Sequence, residues 1–229
     1  MFITFEGIDC CGKSTQARLL ASRMEEAGRD VLQCREPGNT RLSEHIREIL
    51  LNKQFDEMNE RTELLLFAAS RAQLVAEVIL PSLIEDKSVI CDRFYDSTVA
   101  YQGYGRQLPL EDIIHINRIA TQELIPDMTF FIDITPELAM ERCNERMAGE
   151  RDRMEESGIR FYERVIDGYM RLANDDAGRF YVIDGARTID EIHDTIWRLV
   201  SERLDILKGR QAGLIDERTI LAAAATIEA

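Results

Sequence analysis

The chain has 229 residues, enough for one sizeable α/β domain and short for two. Its 42 acidic residues outweigh 28 basic ones for a formal charge of −14, a surface that repels nucleic acid and anionic membrane, so neither a polynucleotide nor a membrane partner is expected. Five cysteines (Cys10, Cys11, Cys34, Cys91, Cys143) form no CxxC pair, and their odd number argues against a disulfide framework and fits a reducing, cytoplasmic setting. His45, His115 and His193 lie too far apart in sequence to form a ligand pattern, and no signal peptide or apolar run long enough to span a bilayer is read.

In chain order, strands and helices alternate. The apolar run 2–6 is the first strand, and a helix over about 13–27 ends at Gly28. A second strand at 30–34 leads into Arg35-Glu36-Pro37-Gly38, where proline and glycine end regular structure. A short helix at 41–51 shows Leu42, Ile46, Ile49 and Leu50 on one face. A long helical stretch covers 58–86, with Pro81 kinking or restarting it. The third strand is 88–92, helical signals follow at 96–102 and 110–123, and Gly103 and Gly105 permit a tight turn. The fourth strand is 128–133, and the helix at 136–147 opens with a Thr135 cap and Pro136 at its first position. A densely charged segment, 148–157, precedes a helix at 159–174, a fifth strand at 179–184 and a last helix from about 188. The fold expected is α/β: a five-stranded parallel sheet with helices on both faces, a three-layer sandwich. The expected division is a domain over 1–207, with a lid at about 142–157, and a tail over 208–229 that carries no functional reading.

The stretch between the first strand and first helix, FEGIDCCGKST, fits G-x-x-x-x-G-K-[ST] at every fixed position, so the sandwich expected is of P-loop NTPase type. Gly7 and Gly12 let successive N–H groups turn inward around phosphate oxygens, and the following helix offers its positive N-terminus to the same charge. The ATP-binding set is then Gly7, Ile8, Asp9, Cys10, Cys11, Gly12, Lys13, Ser14 and Thr15. Lys13 reaches the β/γ-phosphates and Ser14 offers its hydroxyl to Mg²⁺.

Ligands of such a sheet sit at the carboxyl ends of its strands, and several side chains converge there. Asp92, closing an apolar strand, suits Mg²⁺ directly or through water. Arg35 and Arg93, each one strand away from the loop, suit a second phosphate. Phe67 and Arg71 lie one helical turn apart and present a ring for stacking beside a planar donor. Thr98, Tyr101 and Gln102 share a face if 96–102 is helical.

On FEGIDCCGKSTQ, REPG with Thr40, LLLFAASRAQL, DRFYDSTVAYQG, RDRME and FYERV, the chain resembles the bacterial thymidylate kinases over about residues 1–205. The resemblance implies phosphorylation of dTMP to dTDP by ATP–Mg²⁺, and a homodimer packed through the long helices. It implies that Arg35 and Arg93 hold the acceptor phosphate and Asp9 the sugar 3′-hydroxyl. Phe67 would stack on thymine, Arg71 and Thr98 bond its edge, and Tyr101 crowd the sugar 2′ position. Pro37 and Gln102 would line the pocket and Tyr162 help close it. The phosphate loop carries no arginine, so the transition-state cation is expected from a lid closing over ATP, with Arg146 and Arg153 first and Arg151 third; Lys13 and Arg93 complete the catalytic set. Two departures stand out: Cys10-Cys11 in the loop, and Asn39 where a second glycine is usual. A kinase for another small acceptor, or a nucleotide-binding switch without an acceptor, are the other readings; the Arg35–Arg93 pair and the Phe67–Arg71 face weigh against them.

Overall fold

The computed structural model describes residues 1–146, 153 and 158–211 of the chain. Five parallel strands form one sheet in the order β2-β3-β1-β4-β5: β1 (Phe2–Glu6), β2 (Val31–Arg35), β3 (Ser88–Asp92), β4 (Met128–Asp133) and β5 (Phe180–Asp184). The central strands β1, β3 and β4 are buried along nearly their whole length, while edge strands β2 and β5 contain exposed positions. That is the burial expected of a parallel sheet covered on both faces. Register aligns Arg35 with Asp92 and Asp92 with Phe5. Arg35, Asp92 and the end of β1 therefore share one edge, where the loop begins.

Helix α1 (Lys13–Glu26) starts where the loop ends, with Gly12 at φ 106°, a backbone state that L side chains rarely adopt. Helix α2 (Arg41–Leu51) is capped by the Thr40 side chain, which accepts the Ser43 N–H. Helix α3 (Glu60–Leu74) passes through a π-helical turn, Val75–Ile79, into α4 (Leu80–Ile84). Pro81 stands just after the π-helical turn, and the backbone stays helical across the junction, so the helix continues through the proline rather than restarting at it. By length and composition the run Glu60–Ile84 is long and apolar enough to cross a membrane, with mean hydropathy 1.6 over eighteen residues, contrary to the sequence expectation. One side of it packs into the fold, where Leu64, Leu74, Val75 and Ile79 are buried, and so are the charged Glu63 and Arg71, while Leu65 and Ile84 are exposed.

After β3, α5 (Tyr95–Thr98) widens into a π-helical segment, Val99–Gly105, and α6 (Leu110–Thr121) follows. Gly103 and Gly105 do not form the tight turn expected; they lie inside the π segment. A Cβ at Gly105 would stand 2.6 Å from the Phe161 ring, so close packing is what requires glycine here. Helix α7 (Pro136–Arg146) begins as expected, with the Leu138 N–H donated to Thr135 Oγ1. Then come α8 (Ile159–Asp175) and α9 (Ile189–Gln211). The tail beyond Gln211 lies outside the described residues.

Cys10 and Cys143 are joined in a disulfide across 133 residues, with their Cα atoms 5.5 Å apart. This overturns the expectation of no disulfide. Counting thiols along a chain does not reveal that β4 and α7 return beside the loop that follows β1. Cys11, Cys34 and Cys91 are buried free thiols and account for the odd number.

Candidate active site

The phosphate loop is drawn around its lysine. Lys13 is 6% exposed, and its Nζ donates to the Ile8 carbonyl at 2.7 Å. A Cβ at Gly7 would stand 2.6 Å from the Ile132 carbonyl oxygen, so only glycine lets the loop lie this close to β4. Helix α1 has no acidic residue in its first turn and no side-chain cap, leaving its N–H groups to an anion. At the same mouth Ser14 Oγ donates a short hydrogen bond to the Asp92 carboxylate. One hydroxyl and one carboxylate, with room for phosphate oxygens and water, is a donor set that fits Mg²⁺.

Beside the loop lies an open cleft. Phe67, Arg71, Thr98, Tyr101 and Gln102 all line it, as the two helical faces predicted, together with Asp9, Pro37 and Arg93. Arg93 forms the junction between cavity and loop. Its guanidinium donates to the Gly7 carbonyl at 2.8 Å, to Asp9 at 2.6 Å and to the Tyr101 hydroxyl at 3.1 Å, and lies 4.9 Å over the Tyr101 ring. Its φ of 72° is a strained state for arginine, of the kind held at functional sites. Burial pushes the Asp9 carboxyl up, but the Arg93 and Lys13 charges outweigh it and hold Asp9 below its ordinary value. The Tyr162 hydroxyl reaches Asp9 at 3.4 Å.

Arg71 is 1% exposed and donates to Glu36 at 2.7 Å, Asn117 at 2.8 Å and Thr98 at 2.9 Å. With so many protein acceptors fixing it, the guanidinium plane is set before any ligand arrives. Burial raises the Glu36 carboxyl to about 7 despite its pairing with Arg71. Its second oxygen has no hydrogen-bond partner among the described residues.

A family profile described as thymidylate kinase matches residues 5–196. The chain belongs to the thymidylate kinase family. A thymidylate kinase of Chlorobaculum tepidum is 50% identical over 203 residues, covering 86% of this chain and 94% of that protein. One from Fervidobacterium nodosum is 47% identical over 204 residues, covering 89% and 100%. The crystal structure of the Ehrlichia chaffeensis thymidylate kinase superposes with a TM-score of 0.70 at 37% identity, covering 87% of this chain and 98% of that one. The site is thus that of an ATP-dependent nucleoside monophosphate kinase.

Against that thymidylate kinase assignment, some residues stand elsewhere than expected. Arg35 is not among the side chains lining the cavity; its guanidinium pairs with Glu44 of α2 at 2.9 Å. Arg153 does not face the phosphate loop: it donates to the Leu50 carbonyl at 2.9 Å and pairs with the buried Glu63 at 2.7 Å. Arg142 bonds the Gly185 carbonyl beyond β5. The Arg146 side chain and all of Arg151 lie outside the described residues. Asn39 adopts φ 65°, and its side chain accepts the Arg35 N–H at 2.6 Å, so the departure from glycine is accommodated.

Sequence reasoning missed Glu36, Arg47 and Ser97, which line the cavity, and Glu6 behind it. Glu6 is fully buried and accepts the Phe94 N–H at 2.7 Å, Ser97 Oγ at 2.5 Å and the Tyr169 hydroxyl at 2.8 Å, bracing the turn that carries Arg93. Its burial and the Asp96 charge raise its carboxyl above the ordinary range. A charged residue closing an otherwise apolar first strand was the available signal.

Proposed function

We propose that this chain phosphorylates dTMP to dTDP, with the cavity holding the acceptor and the loop holding ATP. The observation that carries the reading is the position of Arg93, bonded to the phosphate loop through Gly7 and lining the acceptor cavity at once. Transfer between two phosphates must bring two anions together, and a cation at their junction is what permits it. The acceptor is a phosphate monoester oxygen already ionised near neutral pH, so no general base is needed. In this reading Lys13 and the loop N–H groups hold the donor phosphates, Phe67 stacks on the base, and Arg71 and Thr98 bond its edge. Tyr101 bounds the sugar, and Asp9 with Tyr162 takes its 3′-hydroxyl. Arg93 binds the acceptor phosphate, with Arg47 as a second cation on the cavity wall and Arg35 reaching it on release from Glu44. Ser14 and Asp92 would hold Mg²⁺, which neutralises charge on the donor phosphates. Arg146, Arg151 and Arg153 are assigned to the lid.

Leu42 and Ile49 on α2, Leu65 on α3, and Ile114 and Ile119 on α6 are exposed apolar side chains, which supports a homodimer through the long helices. A cytoplasmic setting suits the substrates. The deciding experiment is coupled ADP release with a panel of acceptors. dTMP should be turned over well ahead of dGMP and dAMP, and equal use of dTMP and dGMP would sink the assignment.

A further inference from the structure

Glu63 lies at the start of α3, is 1% exposed and touches neither the phosphate loop nor the cavity as lined. It is nonetheless the point on which three side chains converge. Gln102 Nε2 donates to it at 2.9 Å, Arg106 to both its oxygens at 3.2 Å, and Arg153 at 2.7 Å. Burial pushes its carboxyl up, but Arg106, Gln102 and Arg153 outweigh this and keep it ionised. An ionised carboxylate only accepts hydrogen bonds. Gln102 must therefore turn its amide N–H₂ toward Glu63, which leaves its carbonyl oxygen as the group to meet a ligand in the cavity that Gln102 lines.

We propose that Glu63 is a positioning residue for base selection: by fixing the Gln102 amide it makes the cavity accept a pyrimidine with N3–H and reject one with a bare N3. Thymine offers a donor at N3 flanked by carbonyl oxygens, which matches the Gln102 carbonyl oxygen beside the Arg71 donor. Cytosine places its N3 lone pair against that oxygen and its amino group against the guanidinium, two mismatches at one edge of the base. Sites built on buried hydrogen-bond partners discriminate by on the order of 10⁴-fold in this way. The inference rests on the reading that the cavity takes the base of the acceptor.

The test compares kcat/KM for dTMP and dCMP. Glu63→Gln gives Gln102 a partner that both donates and accepts, so its amide can turn over. The dTMP/dCMP ratio should fall by about tenfold or more, a change that simple loss of packing would not produce. Glu63→Asp keeps an acceptor-only partner and should keep the ratio even if overall activity drops. In a Gln102→Leu background Glu63→Gln should leave the ratio where it was, because the effect runs through Gln102. The wild-type enzyme gives a reading that no folding defect can blur: N3-methyl-dTMP should bind far more weakly than dTMP. Equal losses for dTMP and dCMP in Glu63→Gln, or tight binding of the N3-methyl compound, overturn the proposal. Arg71→Ala separates the two levels. If it leaves dTMP binding untouched, the cavity assignment itself fails; if it abolishes dTMP binding while Glu63→Gln leaves the ratio unchanged, only the role of Glu63 fails.

Discussion

The Arg93 guanidinium stands 2.6 Å from the Asp9 carboxylate, so the cation at the junction of the two substrate sites is held by an anion of the phosphate loop itself. The pair is mostly shielded, with side chains 16% and 28% exposed, so Arg93 is oriented before any phosphate binds. Arg93→Ala should lower kcat/KM for dTMP by on the order of 10³-fold, the scale of a lost transition-state arginine. Arg93→Lys should recover little, because one ammonium cannot serve Gly7, Asp9 and a phosphate together. Steady-state kinetics checks both, and a change confined to the KM for ATP would contradict the assignment.

Tyr101 is tied by its hydroxyl to Arg93 and Asp9 and packs edge-on to Phe161 at 5.9 Å. If its ring excludes a 2′-hydroxyl, Tyr101→Phe keeps the preference for deoxyribose and Tyr101→Ala narrows it. Turnover of dTMP against its ribose analogue in the two variants measures the gap. An unchanged gap in Tyr101→Ala would leave the ring only a packing role.

The Glu36 carboxyl, raised from 4.5 to about 7 by burial, makes folding take up a proton within that window. Sign follows directly: its contribution to stability is full below pH 4.5 and is lost as pH rises through about 7. Glu36→Gln removes this term. The melting temperature of the variant minus that of wild type should therefore climb between those pH values and level off above them, by on the order of a few degrees. A difference flat with pH would show that Glu36 does not titrate there.

The Cys10–Cys143 disulfide ties the phosphate loop to α7, the helix that leads into the charged segment. Closing a loop of this length is worth at most roughly 4–5 kcal/mol in lost chain entropy. Two-electron reduction by a dithiol should lower the melting temperature, and it should raise turnover by freeing α7 to move against the loop. Cys143→Ser should behave like reduced wild type and ignore the reductant. Melting curves and rates with and without dithiothreitol decide it; identical behaviour of wild type in both would show that the tether governs neither property.

Much of this was legible because local rules carried it. Strand burial, the Gly12 turn, the Thr135–Pro136 start of α7 and the i, i+4 faces of Phe67–Arg71 and Thr98–Gln102 all follow from spacing along the chain. What escaped depends on partners distant in sequence. Arg35 and Arg153 are assigned from their charge and their place along the chain, and their positions are set by Glu44 and Glu63. Cys143 meets Cys10 only through the crossover from β4, and the glycines of the π segment answer to Phe161 and Leu110 rather than to their own turn.

That placement of Arg153 separates two arginines that sequence alone treats alike. Arg153 docks on the Leu50 carbonyl at the end of α2 and on Glu63, which also holds Gln102 of the acceptor cavity. Arg146 ends α7, the helix tethered to the phosphate loop. Arg146→Ala should therefore lower kcat with little effect on dTMP affinity, the signature of an interaction made only in the transition state. Arg153→Ala should weaken dTMP binding as well, because it loosens the wall on which Gln102 rests. Titration of dTMP without ATP, set beside single-turnover rates, distinguishes the two. If Arg153→Ala loses rate while binding dTMP as wild type does, Arg153 leaves Glu63 during turnover and acts on the transferring phosphoryl group. Wild-type rates in both variants would leave the transition-state charge to Lys13, Arg93 and Mg²⁺.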